Sequence, residues 1–501
     1  MKKVSTFVLS AIVWMYGSTA RAQHGVAPQW GADIELPAPS LSTSARGFLY
    51  SNMGVFSSGK RVVFLHKYDD PKGVFYTYSY DGVNWATPQL FAPASLVIGL
   101  NSPVVIADHQ DTLHVIWASQ LPRALYYTKM DSALNVVLDS VRIADNPQNN
   151  AFHDMYLTHD LQGRIHAMWN EGDAKVDTAE SFYSRSLDGG RTWESKVMLT
   201  VDDDTSSVFP RGQFNAYGGD TLAIAWRNKI SDYNWDIQMT ISTDGGASWG
   251  APFTVNPSAN DQGDPDVVID PYGRIHLFYH EAPVGNLYNG IRIVYGYSDD
   301  LGTTWHPSSV FYNNVISRNE KSRLVEGSRY DAVNDVLWTF WKEEDLPGHQ
   351  GGDMLAAYSL DRGMSWSVPE YVTDRHDTSI GYKAVALLPN GNVGINYELP
   401  NYPDSGKFRV FYKERSRVVT AVKPSALDQQ VRVYPDPTTD AIRLDIGPEH
   451  VKRLEIFTAA GRRIGRYQDV KTIDVSHLTQ GLYFIRVYTA DRFLTGRFIK
   501  K

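Results

Sequence analysis

The chain repeats one ten-residue pattern, and this repetition constrains the fold more than any other feature of the sequence. Four full copies read SRSLDGGRTW, TISTDGGASW, GYSDDLGTTW and AYSLDRGMSW and end at Trp193, Trp249, Trp305 and Trp366. A shortened copy, TYSYDGVNW, ends at Trp85, and a degenerate one, KMDSALNV, follows Tyr127 and Thr128. A paired-strand pattern precedes each copy, so each copy belongs to a longer repeating unit.

Each unit contains two alternating runs joined by a turn with Asp and often Gly, as in GDPDVVIDPYGRIHLFYHEA. The second runs start 52 to 62 residues apart, near Lys60, Thr112, Arg164, Thr221, Arg274, Val336 and Asn392. Alternation at a period of two predicts strands. Seven units of four strands predict an all-β fold, a seven-bladed (alternatively six-bladed) β-propeller over residues 23–416. The last unit lacks a fourth strand, and we expect APQWGADIELPAPS, near the N-terminus, to supply it.

The ten-residue pattern resembles the Asp-box, the bacterial neuraminidase repeat of the sialidase superfamily. Its residue types suit a turn, because Asp accepts backbone N–H groups, Gly adopts positive φ and Trp packs between strands. Strand direction places every copy, and every turn between first and second strands, on one face of the propeller. We therefore interpret the repeat as structural and expect a ligand at the opposite face.

Charged and aromatic side chains collect at that opposite face, where first strands begin and second strands end. Carboxylate-binding guanidinium groups and imidazoles are prominent among them. The residues that we predict to bind substrate are Arg46, His153, Arg211, Arg227, His280, Glu281, Arg323 and Lys342.

The sialidase resemblance implies a specific chemistry, in which three Arg bind the substrate carboxylate and a Tyr nucleophile is paired with Glu. Carried onto this chain, it implies Asp69 or Asp70 as acid/base, Tyr382 as nucleophile and Glu326 as its partner. Arg46, Arg211 and Arg323 would clamp the anion. The chain departs from the family in lacking Arg-Ile-Pro around Arg46 and in having seven units where sialidases have six blades.

Two other functions fit the same face. A polysaccharide lyase acting on uronic-acid polymers needs His or Tyr to take the C5 proton and Arg or His to neutralise the carboxylate, and His153, His280, Tyr382 and Arg211 can serve. A non-catalytic glycan-binding propeller needs neither. We expect a glycoside hydrolase of the sialidase type on extracellular acidic glycans, with the lyase and the binding propeller as alternatives.

The sequence changes character after residue 416. We predict a linker over 417–430 and a small β-sandwich over 431–501 from short alternating strands separated by turns. This segment resembles the C-terminal sorting domain of type IX secretion in Bacteroidota, on Tyr434-Pro435-Asp436-Pro437, Asp474, Leu478, Gly481, Tyr483 and Lys500-Lys501. The resemblance implies the type IX secretion machinery as a partner and secretion or surface attachment.

The N-terminus and the composition agree with export. Residues 1–22 read as a signal peptide, with Lys2-Lys3, an apolar run to Tyr16 and Ala20-Arg21-Ala22 as the cleavage site. A net charge of −8 without a basic run argues against nucleic acid, and the absence of Cys excludes disulfides and thiol chemistry. We expect no membrane span and no cofactor, although acidic stretches at 201–207 and 261–266 can hold a structural Ca²⁺.

Overall fold

The computed structural model describes residues 30–37, 48–67, 73–93, 103–120, 123–145, 152–160, 162–172, 179–200, 207–214, 220–231, 234–284, 292–307, 327–343, 353–374, 383–400, 408–418, 431–446, 450–458, 463–489 and 493–501. Within these ranges every regular secondary-structure element is a β-strand. No helix in them is long and apolar enough to cross a membrane. The predicted all-β fold class is confirmed.

Seven four-stranded antiparallel sheets account for the first twenty-eight strands. Sheets 1 to 3 consist of β2 (Phe48–Val55), β3 (Arg61–Lys67), β4 (Gly73–Ser79) and β5 (Gln89–Pro93); β6 (Val104–Ala107), β7 (Leu113–Gln120), β8 (Arg123–Met130) and β9 (Val136–Asp145); and β10 (Phe152–His159), β11 (Ile165–Glu171), β12 (Glu180–Ser186) and β13 (Val197–Met198). Sheets 4 and 5 consist of β14 (Ser207–Phe214), β15 (Leu222–Ser231), β16 (Asn234–Ser242) and β17 (Phe253–Thr254); and β18 (Asp261–Ile269), β19 (Ile275–Ala282), β20 (Arg292–Ser298) and β21 (His306–Pro307). Sheets 6 and 7 consist of β22 (Arg329–Asp331), β23 (Val336–Glu343), β24 (Asp353–Ser359) and β25 (Glu370–Tyr371); and β26 (Lys383–Leu387), β27 (Val393–Pro400), β28 (Phe408–Arg415) and β1 (Ile34–Glu35).

The N-terminal strand completes the last sheet, as the sequence predicts. Ile34 pairs with Tyr412 and Glu35 with Phe411. Since β1 comes from the other end of this region of the chain, it covers an edge that β28 would otherwise leave open. The donated fourth strand is therefore confirmed.

The seven sheets pack face to face in order. The first strands contact one another in a closed series, in which β2, β6, β10, β14, β18, β22 and β26 follow in turn and β26 contacts β2. Apolar clusters fill the spaces between neighbouring sheets, as where Val62 and Phe64 of sheet 1 meet Val115 of sheet 2. A middle strand such as β19, covered on both faces, is accordingly buried along its whole length.

The C-terminal part contains two further antiparallel sheets. Their strands are β29 (Arg432–Tyr434), β30 (Ala441–Asp445) and β33 (Thr472–Asp474) in one sheet, and β31 (Arg453–Thr458), β32 (Arg463–Tyr467), β34 (Gly481–Tyr488) and β35 (Phe493–Lys500) in the other. One cluster of buried side chains joins the two sheets and includes Ile442, Ile456 and Phe498. The sandwich arrangement and the domain boundaries stay predictions.

Candidate functional site

The ten-residue repeats and the turns between first and second strands lie on one face of the seven sheets, here called the turn face. Gly245 of the repeat in sheet 4 donates its N–H to the carbonyl of Asp220, in the first turn of that sheet, at 2.8 Å. Arg362 Nε, from the repeat of sheet 6, donates to Asp270 Oδ2 in the first turn of sheet 5 at 2.5 Å. The prediction that both kinds of turn share a face is confirmed.

The repeat is held together by its own aspartate. Asp188 Oδ1 accepts the N–H of Thr192 at 2.9 Å, and its Oδ2 accepts the hydroxyl of the same residue at 2.6 Å. Ser186 Oγ accepts the N–H of Gly190 at 2.8 Å and contacts Asp188. These bonds lower the pKa of Asp188 to about 2, with the Thr192 hydroxyl the largest cause. The carboxylate is therefore committed to the turn, which agrees with a structural role.

Histidines on second strands are also structural in three sheets. His114, His166 and His276 are each at most 2% exposed. One ring nitrogen faces an Asp of the first turn, at 3.0 Å for Asp108 and His114. The other faces a Tyr hydroxyl on the third strand. The pattern DxxGRxH carries the signal for two of these sets, but the sequence alone does not show where the ring points.

The opposite face, here called the loop face, contains the first strands' beginnings and the second strands' ends. At the boundary of sheets 4 and 5, Arg227 Nη2 lies 3.9 Å from Asp261 Oδ1, and its guanidinium stacks on Trp235 at 4.2 Å. The backbone N–H of Trp235 donates to Asp261 Oδ1 at 3.1 Å. Asp261 thus lies beside the guanidinium and accepts a hydrogen bond from the backbone of the residue whose ring the guanidinium stacks on.

Burial dominates the chemistry of Asp261, whose side chain is fully buried. Burial raises the pKa of Asp261 to about 6, although the positive charge of Arg227 opposes the shift. The negative charges of Asp236 and Asp264 add to the increase. A carboxyl with such a pKa changes its charge near neutral pH, which is common at functional sites. Asp236 and Asp261 were not among the predicted substrate-binding or catalytic residues.

Next to this pair, Asp264 and His280 form a second contact between titratable side chains. Asp264 Oδ2 lies 3.5 Å from His280 Nδ1, and His280 is 5% exposed. His280 stands opposite Gly263 across the strand pair, where a Cβ atom would come within 2.6 Å of its Nε2. Gly263 therefore provides the space that the imidazole occupies.

Asp264 lies in a β-bulge, which sets the direction of its side chain. The register of β18 against β19 shifts between Gly263 and Asp266, and Asp264 has φ +46°. Sheet 3 has the same irregularity, with Asp154 at φ +46°. Positive φ in a residue other than Gly is frequent at functional sites, as β-bulges are, although Asp111 and Asp335 also adopt it in turns. The shared bulge gives both sheets an acidic residue with the same unusual backbone at the loop face.

The remaining predicted substrate-binding residues have different settings. Glu281 is buried and accepts the hydroxyl of Ser258 at 2.6 Å, and Lys342 is half-buried on β23. The backbones of His153 and Arg211 lie in β10 and β14, but their side chains fall outside what the structure describes. The other predicted residues, Arg46, Asp69, Asp70, Arg323, Glu326 and Tyr382, lie outside the described residues.

Metal binding has no support in the described part of the chain, where no group of three or more His, Asp or Glu side chains is placed to hold an ion. This includes the acidic stretch 261–266, whose Asp261 and Asp264 contact Arg227 and His280 instead. Most of the other stretch, residues 201–206, lies outside the described ranges.

Comparison with solved structures supports the fold. A PL25 ulvan lyase, a polysaccharide lyase bound to -[GlcA(1-4)Rha3S]-, is 12% identical, with a TM-score of 0.51 over 79% of this chain and 98% of that chain. The polysaccharide lyase Uly1 is 10% identical, with a TM-score of 0.50 over 76% and 92%. A Hadza microbial sialidase is 17% identical, with a TM-score of 0.43 over 75% and 69%. No curated protein matches the chain.

The C-terminal part has a family match. Residues 432–501 match the model of the secretion system C-terminal sorting domain. This agrees with the sorting motifs that begin at Tyr434-Pro435. The protein thus carries a secretion sorting domain and is exported to the cell surface or beyond.

Proposed function

We propose that this protein is an exported seven-bladed β-propeller enzyme that cleaves acidic extracellular polysaccharide by β-elimination at uronic-acid residues. The observation that carries the proposal is the pairing of Asp264 with His280 at the loop face, beside the guanidinium of Arg227. A C-terminal β-sandwich completes the architecture.

The arrangement of sheets supports seven blades. Each of sheets 1 to 7 contributes its first strand to the closed series of contacts, and β26 of sheet 7 returns to β2 of sheet 1. Closure by β1 adds no further sheet. Seven sheets favour this interpretation over the six blades of sialidases.

His280 is the proposed base. A carboxylate beside one ring nitrogen orients an imidazole and favours its protonated form, so Asp264 would help His280 to accept a proton. In β-elimination His280 takes the C5 proton, the electron pair forms the C4=C5 double bond, and the bond from C4 to the glycosidic oxygen breaks. The imidazolium then returns the proton to the leaving oxygen. The products are one unsaturated uronate end and one new reducing end.

Arg227 is the proposed partner of the substrate carboxylate. Removal of the C5 proton pushes negative charge onto that carboxylate, and a fixed guanidinium stabilises it. Asp261, 3.9 Å from Arg227, lies two residues before Gly263, which pairs with His280 across the two strands. The two positions are about 7 Å apart along the strand. We infer that one sugar ring of the substrate presents its C5 proton to His280 and its carboxylate to Arg227.

Sialidase-type hydrolysis is the second candidate, because the chain carries the ten-residue repeats with aspartate-centred turns. In that case Tyr382, Glu326 and either Asp69 or Asp70 would act. Two observations place it second. Both described solved structures with a TM-score of at least 0.50 are lyases, and the sheets number seven.

The test is an activity screen of the full chain with uronic-acid polysaccharides and sialosides in parallel. We expect ultraviolet absorbance from new C4=C5 double bonds, greatly reduced in His280→Gln and Asp264→Asn. His306→Gln, which changes an exposed histidine in the same sheet, is the matched control. Release of sialic acid without unsaturated ends, lost in Tyr382→Phe, would replace this proposal with the hydrolase. Glycan binding without either product would leave a binding propeller.

A further inference from the structure

The ring of first strands lines a cavity of about 220 Å³. Its lining comes from six of the seven first strands and from the residues just before β22. Most lining side chains are aliphatic, and the polar ones are Asn52, Tyr156, Asp266 and Arg329. The volume exceeds the 10–15 Å³ that one water needs and lies below the roughly 300–1,000 Å³ of drug-sized ligand sites. The cavity therefore suits a small polar ligand.

Arg329 distinguishes this cavity from one that merely holds water. Its guanidinium is half-buried, and its only hydrogen bond within the described residues joins Nη1 to the carbonyl of Ser328 at 2.9 Å. A guanidinium has five N–H donors in a fixed fork that matches the oxygens of a carboxylate or sulfate. No carboxylate among the described residues forms an ion pair with it, so the fork is available to a ligand.

The other polar groups are compatible with an anion. Asn52 Oδ1 accepts the N–H of Met53 at 3.0 Å, which leaves the amide NH₂ as a further donor. The negative charge of Asp266 is compensated by two backbone donors, because its Oδ2 accepts the N–H groups of Ser328 at 2.7 Å and Gly327 at 3.2 Å. Arg329 is thus not required to neutralise Asp266.

We propose that this cavity binds a small oxyanion, a carboxylate or sulfate group, through Arg329 and Asn52. The oxyanion is either a free ion or the acidic group of a single sugar. The site lies inside the ring of first strands, and neither Asp264 nor His280 lines it. It depends on no step of the proposed elimination.

The experiment measures the thermal unfolding midpoint of the full chain against sodium sulfate, acetate and glucuronate, with chloride at equal ionic strength as the reference. A ligand that binds only the folded state raises the midpoint along a saturable curve. We expect such a curve with at least one oxyanion, abolished in Arg329→Gln and weakened in Arg329→Lys. Arg191→Gln, which removes an exposed arginine in the repeat of sheet 3, should keep it.

The arms also identify the source of the oxyanion. If the shift saturates at a lower concentration of glucuronate than of acetate, the ligand is a sugar acid. If the two concentrations are equal, the site recognises the carboxylate alone. If Arg329→Gln does not fold, Asn52→Asp provides the second variant, since an added negative charge should weaken binding at least tenfold by calorimetry. Midpoints that follow ionic strength without saturation, or a saturable shift that survives both substitutions, would overturn the proposal.

Discussion

Nδ1 of His166 and the hydroxyl oxygen of Tyr183 lie 2.6 Å apart in the core of sheet 3. The indole of Trp249, from the ten-residue repeat of sheet 4, meets the ring of Tyr183 edge-on with centroids 4.9 Å apart. Tyr127 makes the same two contacts, with His114 and Trp193. Tyr295 makes them with His276 and Trp366. In each of these three sheets, the Tyr that contacts the His also packs against the Trp of a repeat from a later sheet. A buried hydrogen bond therefore lies directly next to each of these contacts between sheets.

Tyr183→Phe should destabilise the protein by about 1–3 kcal/mol, because it leaves His166 Nδ1 buried without the hydroxyl. Urea unfolding of the full chain, followed by tryptophan fluorescence, measures the change. Tyr80→Phe, at a 64% exposed tyrosine, is the control and should change the unfolding free energy by less than about 0.5 kcal/mol. Equal effects of the two substitutions would show that the hydroxyl of Tyr183 contributes nothing to stability.

The repeat glycines provide a second test of the same contact. Gly246 has φ +80°, and a Cβ atom there would lie 1.9 Å from the hydroxyl of Tyr183. Gly163 has nearly the same φ, +79°, but a Cβ atom would meet nothing within 4 Å. Gly163→Ala should therefore cost about 1 kcal/mol from backbone strain alone, and Gly246→Ala at least about 1–3 kcal/mol more from overpacking. Similar losses in both variants would mean that only φ matters at these positions.

Much of the fold follows from the sequence because its signals are local. Alternation and turn residues place the second strands within one residue, as for Lys60 against Arg61 and Thr112 against Leu113. The missing fourth strand of the last unit identifies the N-terminal donor because an open edge must be covered. These features depend on the pattern within one unit.

The loop-face contacts depend on distances that no local pattern contains. Arg227 reaches Asp261 because two sheets pack together, and Asp264 reaches His280 because a bulge turns the backbone. The sequence predicts Arg227 and His280 from their positions at strand ends. It does not identify Asp261, because the sequence alone does not show whether an aspartate is buried or solvated.

The contribution of the buried histidines to stability should fall on acidification between about pH 6.5 and about pH 4. Burial lowers the pKa of His166 to about 4, and it also lowers the pKa values of His114 and His276. At these histidines the unfolded chain binds protons in this window that the folded chain does not, so their contribution to the unfolding free energy decreases as the pH falls. Asp261, with a pKa raised to about 6 by burial, binds its proton first in the folded chain and opposes this decrease below about pH 6. His166 alone accounts for roughly 3 kcal/mol. The paired Asp270, with a pKa lowered to about 2 by His276 and Arg362 against the effect of burial, contributes only below about pH 4.

Unfolding in urea across this pH range checks the prediction. His166→Gln should reduce the slope of the unfolding free energy against pH. His450→Gln, at a largely exposed histidine, should leave that slope unchanged. A slope that is the same in His166→Gln and in the unsubstituted protein would contradict the assignment to His166.

Gly263→Ala should reduce the proposed elimination on the order of 10²-fold without a comparable loss of stability. The new methyl group would lie 2.6 Å from Nε2 of His280, so the imidazole must move, and the end of a side chain moves easily. Initial rates of double-bond formation and urea unfolding of the same preparations separate the two effects. Gly31→Ala, where the nearest atom is 3.4 Å away, is the control. Full activity in Gly263→Ala would exclude His280 as the base.

Two arginines of β28 should differ sharply in their effect on stability. Arg415 donates from Nη2 to Glu370 Oε1 at 2.7 Å and from Nε to Oε2 at 2.9 Å, and both side chains are at most 5% exposed. Glu370 also accepts the indole N–H of Trp30 at 3.1 Å, so this pair connects the N-terminal segment to sheets 6 and 7. Arg409 instead pairs with Glu35 at the surface.

Arg415→Ala leaves a buried carboxylate without its partner and should cost about 3–5 kcal/mol, whereas Arg409→Ala should cost at most about 1 kcal/mol. Urea unfolding of both variants measures the difference, and added salt should reduce only the smaller effect because dissolved ions screen the exposed pair more than the buried one. If the two losses are equal, the buried pair does not stabilise the closure of the last sheet.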